Sequence, residues 1–453
     1  MSDEHSPFAA HALERSVPRY TSYPTAPNFS EAVNAEAYRR WLAELHAETP
    51  LSLYLHIPFC DDLCWFCACR TQGTRRYAQI ERYLSHLVRE IEMVADLLPE
   101  THTVSQVHLG GGSPTVLHPE DTGRLIRLLK NKIPGVEGAE LAVEIDPRDM
   151  TDAKLDALAV NGLTRASIGV QDFDEAVQKA IGRMQGWEMT RDVIHGLRKR
   201  GVEGINIDFL YGLPGQTCET LADTIEKVVA LEPDRLALFG YAHVPWMAKR
   251  QKMIDASTLP DSVLRKSQAE MAANILIDAG YEAVGIDHFA KPGDSLARAA
   301  HDKTLKRNFQ GYTVDPSDAL IGFGASAIGC LPQGYVQNES STAAYQLLIE
   351  AGKLATRRGH RLNLNDQLHR DLIEQILCRF EIDWAELHAR YGDFVEPVMS
   401  EAEKLIADAP PGAFETTGTG VRIAERWRTH ARLIAAEFDT YLVKNPTKHS
   451  LAV

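Results

Sequence analysis

From residue 51 onward the chain alternates short apolar runs with longer stretches of helical periodicity, and it does so six times. Strand-like runs fall at 52–57, 106–109, 141–145, 166–170, 204–211 and 235–241. Helical patterns fill the gaps between them, at 77–98, 119–130, 152–160, 175–184, 190–199 and 218–231. A strand followed by a helix, repeated, sets consecutive strands parallel with the helices packed outside. Such repeats can close partly into a (β/α)6 barrel or stay open as a doubly wound sheet, and the pattern permits both. In barrels of this kind the chemistry lies at the carboxyl ends of the strands, so the residues that leave each run are informative. They are Cys60 after the first, Gly110-Gly111-Gly112-Ser113-Pro114 after the second, Glu144 at the end of the third and Gln171 after the fourth. Asp208 lies in the fifth, ahead of Gly212 and Gly215, and Ala242 and His243 follow the sixth.

Four of the seven cysteines stand just past the first strand, as Cys60, Cys64, Cys67 and Cys69 in the pattern C-x3-C-x2-C-x-C. Pro58 ends the strand before them, since proline supplies no donor to a central ladder. A disulfide framework suits small secreted chains, and the other three cysteines here are scattered. Structural zinc takes four closed ligands, usually from two separated pairs, and no second pair exists. Soft, closely spaced thiolates suit an iron–sulfur cluster. Three of them on a four-iron cluster leave one iron open, which is a place for chemistry. The glycine run allows a ligand close to the backbone, although by itself it could be a simple turn.

With 453 residues, two or three domains or a barrel with appendages are expected. No apolar run reaches the length of a membrane span. The start, Met1-Ser2-Asp3-Glu4-His5, lacks the regions of a signal peptide, so a cytoplasmic location is expected. The net charge of −14 argues against nucleic-acid binding. An anionic ligand would need local positive charge against that global sign.

The cysteine loop after a strand resembles the radical S-adenosylmethionine (SAM) superfamily. Its flanks, Tyr54-Leu55-His56-Ile57-Pro58-Phe59-Cys60 and Cys64-x-Phe66-Cys67-x-Cys69, look like the oxygen-independent coproporphyrinogen III dehydrogenases of haem synthesis. So does the phrase Arg19-Tyr20-Thr21-Ser22-Tyr23-Pro24, which composition alone would make a surface arm. The resemblance runs from Val17 to the end and decides for the partial barrel, with an N-terminal arm (1–50), a barrel (51–290), an extension and linker (291–362) and a C-terminal, mainly helical, winged-helix-like cap (363–453). It implies a 4Fe–4S cluster on Cys60, Cys64 and Cys67, and two SAM molecules. Tyr54, Glu144, Arg183 and Ile328, with Gly111, match positions near the first SAM. Phe66, Gly112, Ser113, Gln171, Asp208 and Ala242 match positions near the second. Cys69, Glu144, Phe309 and Gln310 are the candidate catalytic positions; Cys69 matches an extra cysteine that is not a cluster ligand. Two departures appear: Ser113 stands where threonine is common, keeping the hydroxyl, and Ala68 replaces a glycine.

The implied reaction is oxidative decarboxylation of two propionates of coproporphyrinogen III to the vinyl groups of protoporphyrinogen IX. A flavodoxin- or ferredoxin-type reductant and a monomer are expected. A haem-binding chaperone of the same superfamily, or an enzyme that opens or methylates a tetrapyrrole, are the rival readings; the Arg19–Tyr23 phrase argues against the chaperone. Arg19 and residues in the Lys249–Lys252 region are candidates for holding substrate carboxylates. Further on, 281–289 is strand-like, 318–328 reads as a glycine-rich turn under the site, and 344–362 as a basic helical linker.

Overall fold

The computed structural model describes residues 6–9, 12–99 and 101–442. The six expected strands are all present and parallel: β1 (Leu51–Ile57), β2 (Val104–Gly111), β3 (Glu140–Ile145), β4 (Arg165–Gln171), β5 (Gly204–Tyr211) and β6 (Arg235–Gly240). Two short strands, β7 (Glu282–Val284) and β8 (His288–Ala290), form an antiparallel hairpin on the β6 edge. On the other edge come β9 (Ala319–Phe323), β10 (Ile328–Leu331), β11 (Gly334–Asn338) and β12 (Thr356–Arg361). One twelve-stranded sheet results, in the order β12-β11-β10-β9-β1-β2-β3-β4-β5-β6-β8-β7.

Each central strand faces two environments. Successive side chains in a strand point to opposite faces. Leu53, Leu55, Val107, Leu109, Val143, Ile168, Ile207 and Phe209 are buried in one core with the outer helices. Their neighbours in sequence are polar: His108, Glu144, Ser167, Asn206 and Asp208 line a cavity of about 240 Å³ on the concave side. Helix Tyr77–Ala95 covers the outer face with Tyr83, Leu84, Leu87 and Ile91.

Two sequence readings are corrected. The stretch 318–328, read as a turn, begins with β9, a seventh strand running parallel to β1. Its glycines answer close packing: a Cβ on Gly322 would meet the Ile328 carbonyl at 2.7 Å, and one on Gly324 the Tyr83 hydroxyl at 2.4 Å. The stretch 344–362, read as a helical linker, holds helix Thr342–Glu350 and then β12, which closes the sheet edge. The run Arg357-Arg358-Gly359-His360 lies in that strand. Polar residues are what an edge strand carries on its open side, which hid the strand from a search for apolar runs.

The arm is anchored. Val17, Tyr20 and Tyr23 are buried with helices Leu364–Arg379 and Ala431–Glu437 of the C-terminal region. That region adds helices Trp384–Tyr391 and Glu396–Ala407 and a small three-stranded antiparallel sheet. The 3-10 helix Glu425–His430 packs Trp427 on Phe8 of the arm (5.2 Å between rings). No helix among the described residues is long and apolar enough to cross a membrane.

Gly359 exchanges backbone hydrogen bonds with Ser30, and a Cβ there would meet the Tyr335 carbonyl at 2.1 Å and Val33 at 2.7 Å. Gly359→Ala is expected to lower stability by about 1–3 kcal/mol, read as an earlier midpoint in urea unfolding.

Candidate active site

The cysteine loop is tied at both ends. Phe59–Cys60 pairs with Gln72–Gly73 as a short parallel ladder, and the Thr74 N–H donates to the Cys60 carbonyl (3.0 Å). Trp65 N–H donates to the Ile181 carbonyl (2.9 Å). From the far side of the barrel mouth, fully buried Gln251 donates to the Phe66 carbonyl (2.6 Å) and the Ala242 carbonyl (3.0 Å), so one amide joins the cysteine loop to the loop after β6. Arg250 donates to Thr71 Oγ1 (2.9 Å) and the Thr71 carbonyl (3.0 Å). This cation within 249–252 therefore braces the loop rather than standing ready for substrate.

All four loop cysteines are free thiols: Cys64 is buried, Cys60 and Cys67 half-buried, Cys69 exposed. Two guanidiniums reach the Cys64 sulfur, from Arg148 (3.3 Å) and Arg183 (3.4 Å), and Asp146 holds both arginines (2.7 and 3.0 Å). Burial, and then the nearby Cys67 and Cys64, push the Cys60 thiol up to about 12. The Cys69 thiol and backbone N–H hydrogen-bond to Cys67 and pull its pKa down. Sulfurs this near each other cannot all ionise cheaply unless positive charge sits among them. Among the described residues no group of three His, Cys, Asp or Glu is gathered as an assembled metal site. The fit of a cluster therefore rests on the donor set: three thiols on one braced loop, with arginines against the innermost.

Beside the loop, Glu144 fills the space that the glycine run leaves. A Cβ on Gly110 would lie 2.5 Å from its carboxylate, one on Gly111 (φ 110°) 2.5 Å from the His56 ring, and one on Gly112 2.4 Å from the Phe59 carbonyl. The glycines thus let the protein's own side chains approach the backbone. Glu144 accepts from Gly111 N–H (3.0 Å) and His108 Nε2 (3.3 Å). Burial opposes its charge, yet the His108 and Gly111 donors hold its pKa below the usual value. Tyr54 stands next to this corner, bonded to His56 Nδ1 (3.0 Å) and stacked on His108, while His56 Nε2 reaches the Arg70 carbonyl (3.1 Å).

Further round the mouth, Asp208 accepts from Ser167 (3.0 Å) and Asn206 (2.8 Å), and burial still pushes its pKa up. Gln171 sits in the left-handed region (φ 71°), a strain of about 1 kcal/mol or more, and its amide lies over Gly169 beside Arg183. Arg183, grouped by resemblance with Tyr54 and Glu144, has its contacts with Cys64, Asp146 and the Gly169 carbonyl (2.7 Å), next to Gln171. Ser113 is buried and donates to Asp149 (3.1 Å). Ile328 starts β10, two strands from Tyr54, whose partner Gly322 on β9 packs on the Ile328 carbonyl. Gln310 lines the same cavity as Glu144 and Asp208, with its amide nitrogen buried and unpartnered. Phe309 does not join it: it packs edge-on against Tyr335 (5.9 Å) and lines a separate cavity with Tyr20 and Arg370. Sequence reasoning missed Asp146, Arg148 and Gln251. The first two lie in the turn after the third strand run, a signal that the strand-end rule could have used. Gln251 carried none.

Fold and cysteine loop together define a radical SAM protein, and residues 54–228 match the Radical SAM superfamily. The chain is 47% identical over 425 residues to coproporphyrinogen III oxidase, anaerobic 1, of Cereibacter sphaeroides, covering 94% of both chains. It is 46% identical over 440 residues to the oxygen-independent coproporphyrinogen III oxidase of Bradyrhizobium diazoefficiens, covering 97% of this chain and 98% of that one. The solved coproporphyrinogen III oxidase of Escherichia coli, described as a radical SAM enzyme, superposes with a TM-score of 0.89 at 37% identity, covering 94% of this chain and all of that one. The chain belongs to the oxygen-independent coproporphyrinogen III oxidase family. Membership implies a 4Fe–4S cluster and SAM.

Glu144→Gln is expected to cost about 1–3 kcal/mol at pH 7, because it removes a charged acceptor from two donors. The folded pKa of Glu144 is depressed, so the carboxylate's contribution is present above the unfolded value of about 4.3 and fades as pH falls through the folded one. Urea midpoints of wild type and variant should accordingly converge on acidification.

Proposed function

We propose that this protein decarboxylates two propionate side chains of coproporphyrinogen III, yielding the two vinyl groups of protoporphyrinogen IX without oxygen. The observation that carries the reading is the braced loop of three thiols at the mouth of a polar lumen, in a chain related over nearly its full length to enzymes of that name. Cys60, Cys64 and Cys67 would hold the cluster through one iron each and leave the fourth open. When bound, cluster and SAM supply a 5′-deoxyadenosyl radical able to take a hydrogen atom from the propionate β-carbon, whereupon loss of carbon dioxide and one electron leaves the vinyl group.

The chain's own residues divide the remaining work. Arg148 and Arg183 lend positive charge to the innermost thiolate. Glu144, kept ionised by its donors, can hold an ammonium or ribose hydroxyls at the glycine run. Tyr54, Gly111 and Ile328 lie beside it and would frame one SAM. Phe66, Gly112, Ser113, Gln171, Asp208 and Ala242, with Arg183 near Gln171, would frame a second. The Gln251 bridge between Phe66 and Ala242 supports treating these last as one wall. Gln310 aims an unpartnered amide into the lumen and is the candidate contact to substrate; Cys69 is exposed beside the loop and free to act there. Phe309 supports its hairpin from the opposite side. A flavodoxin- or ferredoxin-type protein is the proposed reductant, acting on a monomer in the cytoplasm.

Anaerobic incubation of reconstituted protein with SAM, reductant and coproporphyrinogen III should yield protoporphyrinogen IX; SAM cleavage without decarboxylation would remove the substrate assignment. Cys64→Ser should abolish cluster absorbance and methionine release together. Gln310→Ala should keep the cluster spectrum while turnover falls about tenfold or more, the size expected from one lost buried hydrogen bond to a charged group; unchanged turnover would take Gln310 out of the site.

A further inference from the structure

A second cavity, of about 570 Å³, lies between the β6 end of the barrel, helix Ser262–Asp278, the N-terminal arm and the C-terminal region. Its wall carries Arg19, Arg265, Arg307, Arg426, Arg428 and Arg432, with Lys266, drawn from four separate parts of the chain. Arg265 is buried, and the Arg307 side chain is only 5% exposed. Asp287 is the half-buried acid among them, 3.6 Å from Arg307; Glu270 and Glu425 also line the cavity but are exposed. In a chain with 14 more acidic than basic charges, this is a concentrated excess of the opposite sign.

The excess costs the folded protein. Burial, with repulsion from Arg19, lowers the Arg432 guanidinium to about 10, and burial lowers Arg19 and Arg265 as well. Nε and Nη1 of Arg307 and Nε of Arg428 are buried with no hydrogen-bond partner. Buried guanidinium nitrogens left without acceptors are expensive, and guanidiniums match carboxylates in geometry. A bound polycarboxylate would supply both the missing acceptors and the missing charge.

The cavity also adjoins the lumen. Phe239 and His288 line both spaces. Arg307 and Gln310 come from one hairpin, Lys306–Asn308 with Gly311–Thr313, and line the arginine cavity and the lumen respectively. We propose that this cavity is the carboxylate anchor for the tetrapyrrole: the arginines grip propionates that the reaction leaves intact, while a propionate to be cleaved reaches past Phe239 and His288 toward Gln310 and Glu144. The inference rests on the substrate reading above and adds the residues that hold it.

The test uses full-length protein and coproporphyrin III, the stable oxidised form, with its tetramethyl ester as the uncharged control, both followed by fluorescence. Wild type should bind the acid at least tenfold more tightly than the ester, and added salt should weaken only the acid. Arg307→Gln and Arg428→Gln should each weaken the acid tenfold or more and leave the ester unchanged. Arg307→Lys and Arg428→Lys should recover part of that loss, which lost packing would not allow; circular dichroism checks each fold. Equal affinity of wild type for acid and ester, or folded Gln variants binding the acid within twofold of wild type, would overturn the anchor alone. A wild type that binds neither porphyrin would overturn the substrate reading together with it.

Discussion

Every central strand of this protein meets an apolar helix layer on one face and a polar lumen on the other. The apolar face supplies the driving force: Leu53, Val107, Val143, Ile168 and Ile207 are all essentially removed from water. Much of the polar face is affordable because its groups satisfy one another. Asn206, Ser167 and Asp208 form one such chain, and His108, Glu144 and the Gly111 N–H another. Strand period two therefore does more than build a sheet. It delivers a row of acids and amides to the inside of a barrel whose outside could not tolerate them.

The site follows from that division. The cysteine loop leaves β1 at the lumen's mouth and is stitched to the turn after β2, to helix Glu175–Ile181 and to the loop after β6. Three glycines let Glu144, His56 and the loop's own backbone close up against the β2 end. A side chain on Gly110 would displace the carboxylate that accepts from the Gly111 N–H, and one on Gly111 or Gly112 would push away His56 or the loop backbone. Beyond the barrel, the arm and the C-terminal region bring arginines to the β6 side, from positions 19, 426, 428 and 432, against those at 265 and 307. The acidic net charge and the basic cavity are compatible because electrostatics in a partly enclosed space are set by near neighbours, not by the sum.

Much of this was legible beforehand. The six parallel strands and their helices follow from apolar runs and helical periodicity, and the boundaries move by only a few residues at the ends. The rule that ligands meet the carboxyl ends of strands placed Cys60, Glu144 and Asp208 in one neighbourhood. What escaped were elements whose signal is contextual. β12 is polar because it is an edge, and β9 was obscured by Gly322 within it and Gly324 just past it, which are there because Ile328 and Tyr83 crowd them. Phe309 and Gln310 are adjacent in sequence but belong to different cavities, since neighbouring residues on the Asn308–Gly311 turn point apart.

By itself, then, the order of residues determined the β/α repeat, the thiol spacing and the glycine run, because each depends on local periodicity or on neighbours a few positions away. Tertiary structure alone decided that Gln251 would clasp Phe66 to Ala242, that Asp146 would hold two arginines against Cys64, and that six arginines spread over more than four hundred residues would share one cavity. Each of these depends on at least one pairing between residues far apart in the chain, such as Gln251 with Phe66, Arg148 with Cys64 and Asp146 with Arg183, and such pairings are set by how the layers pack.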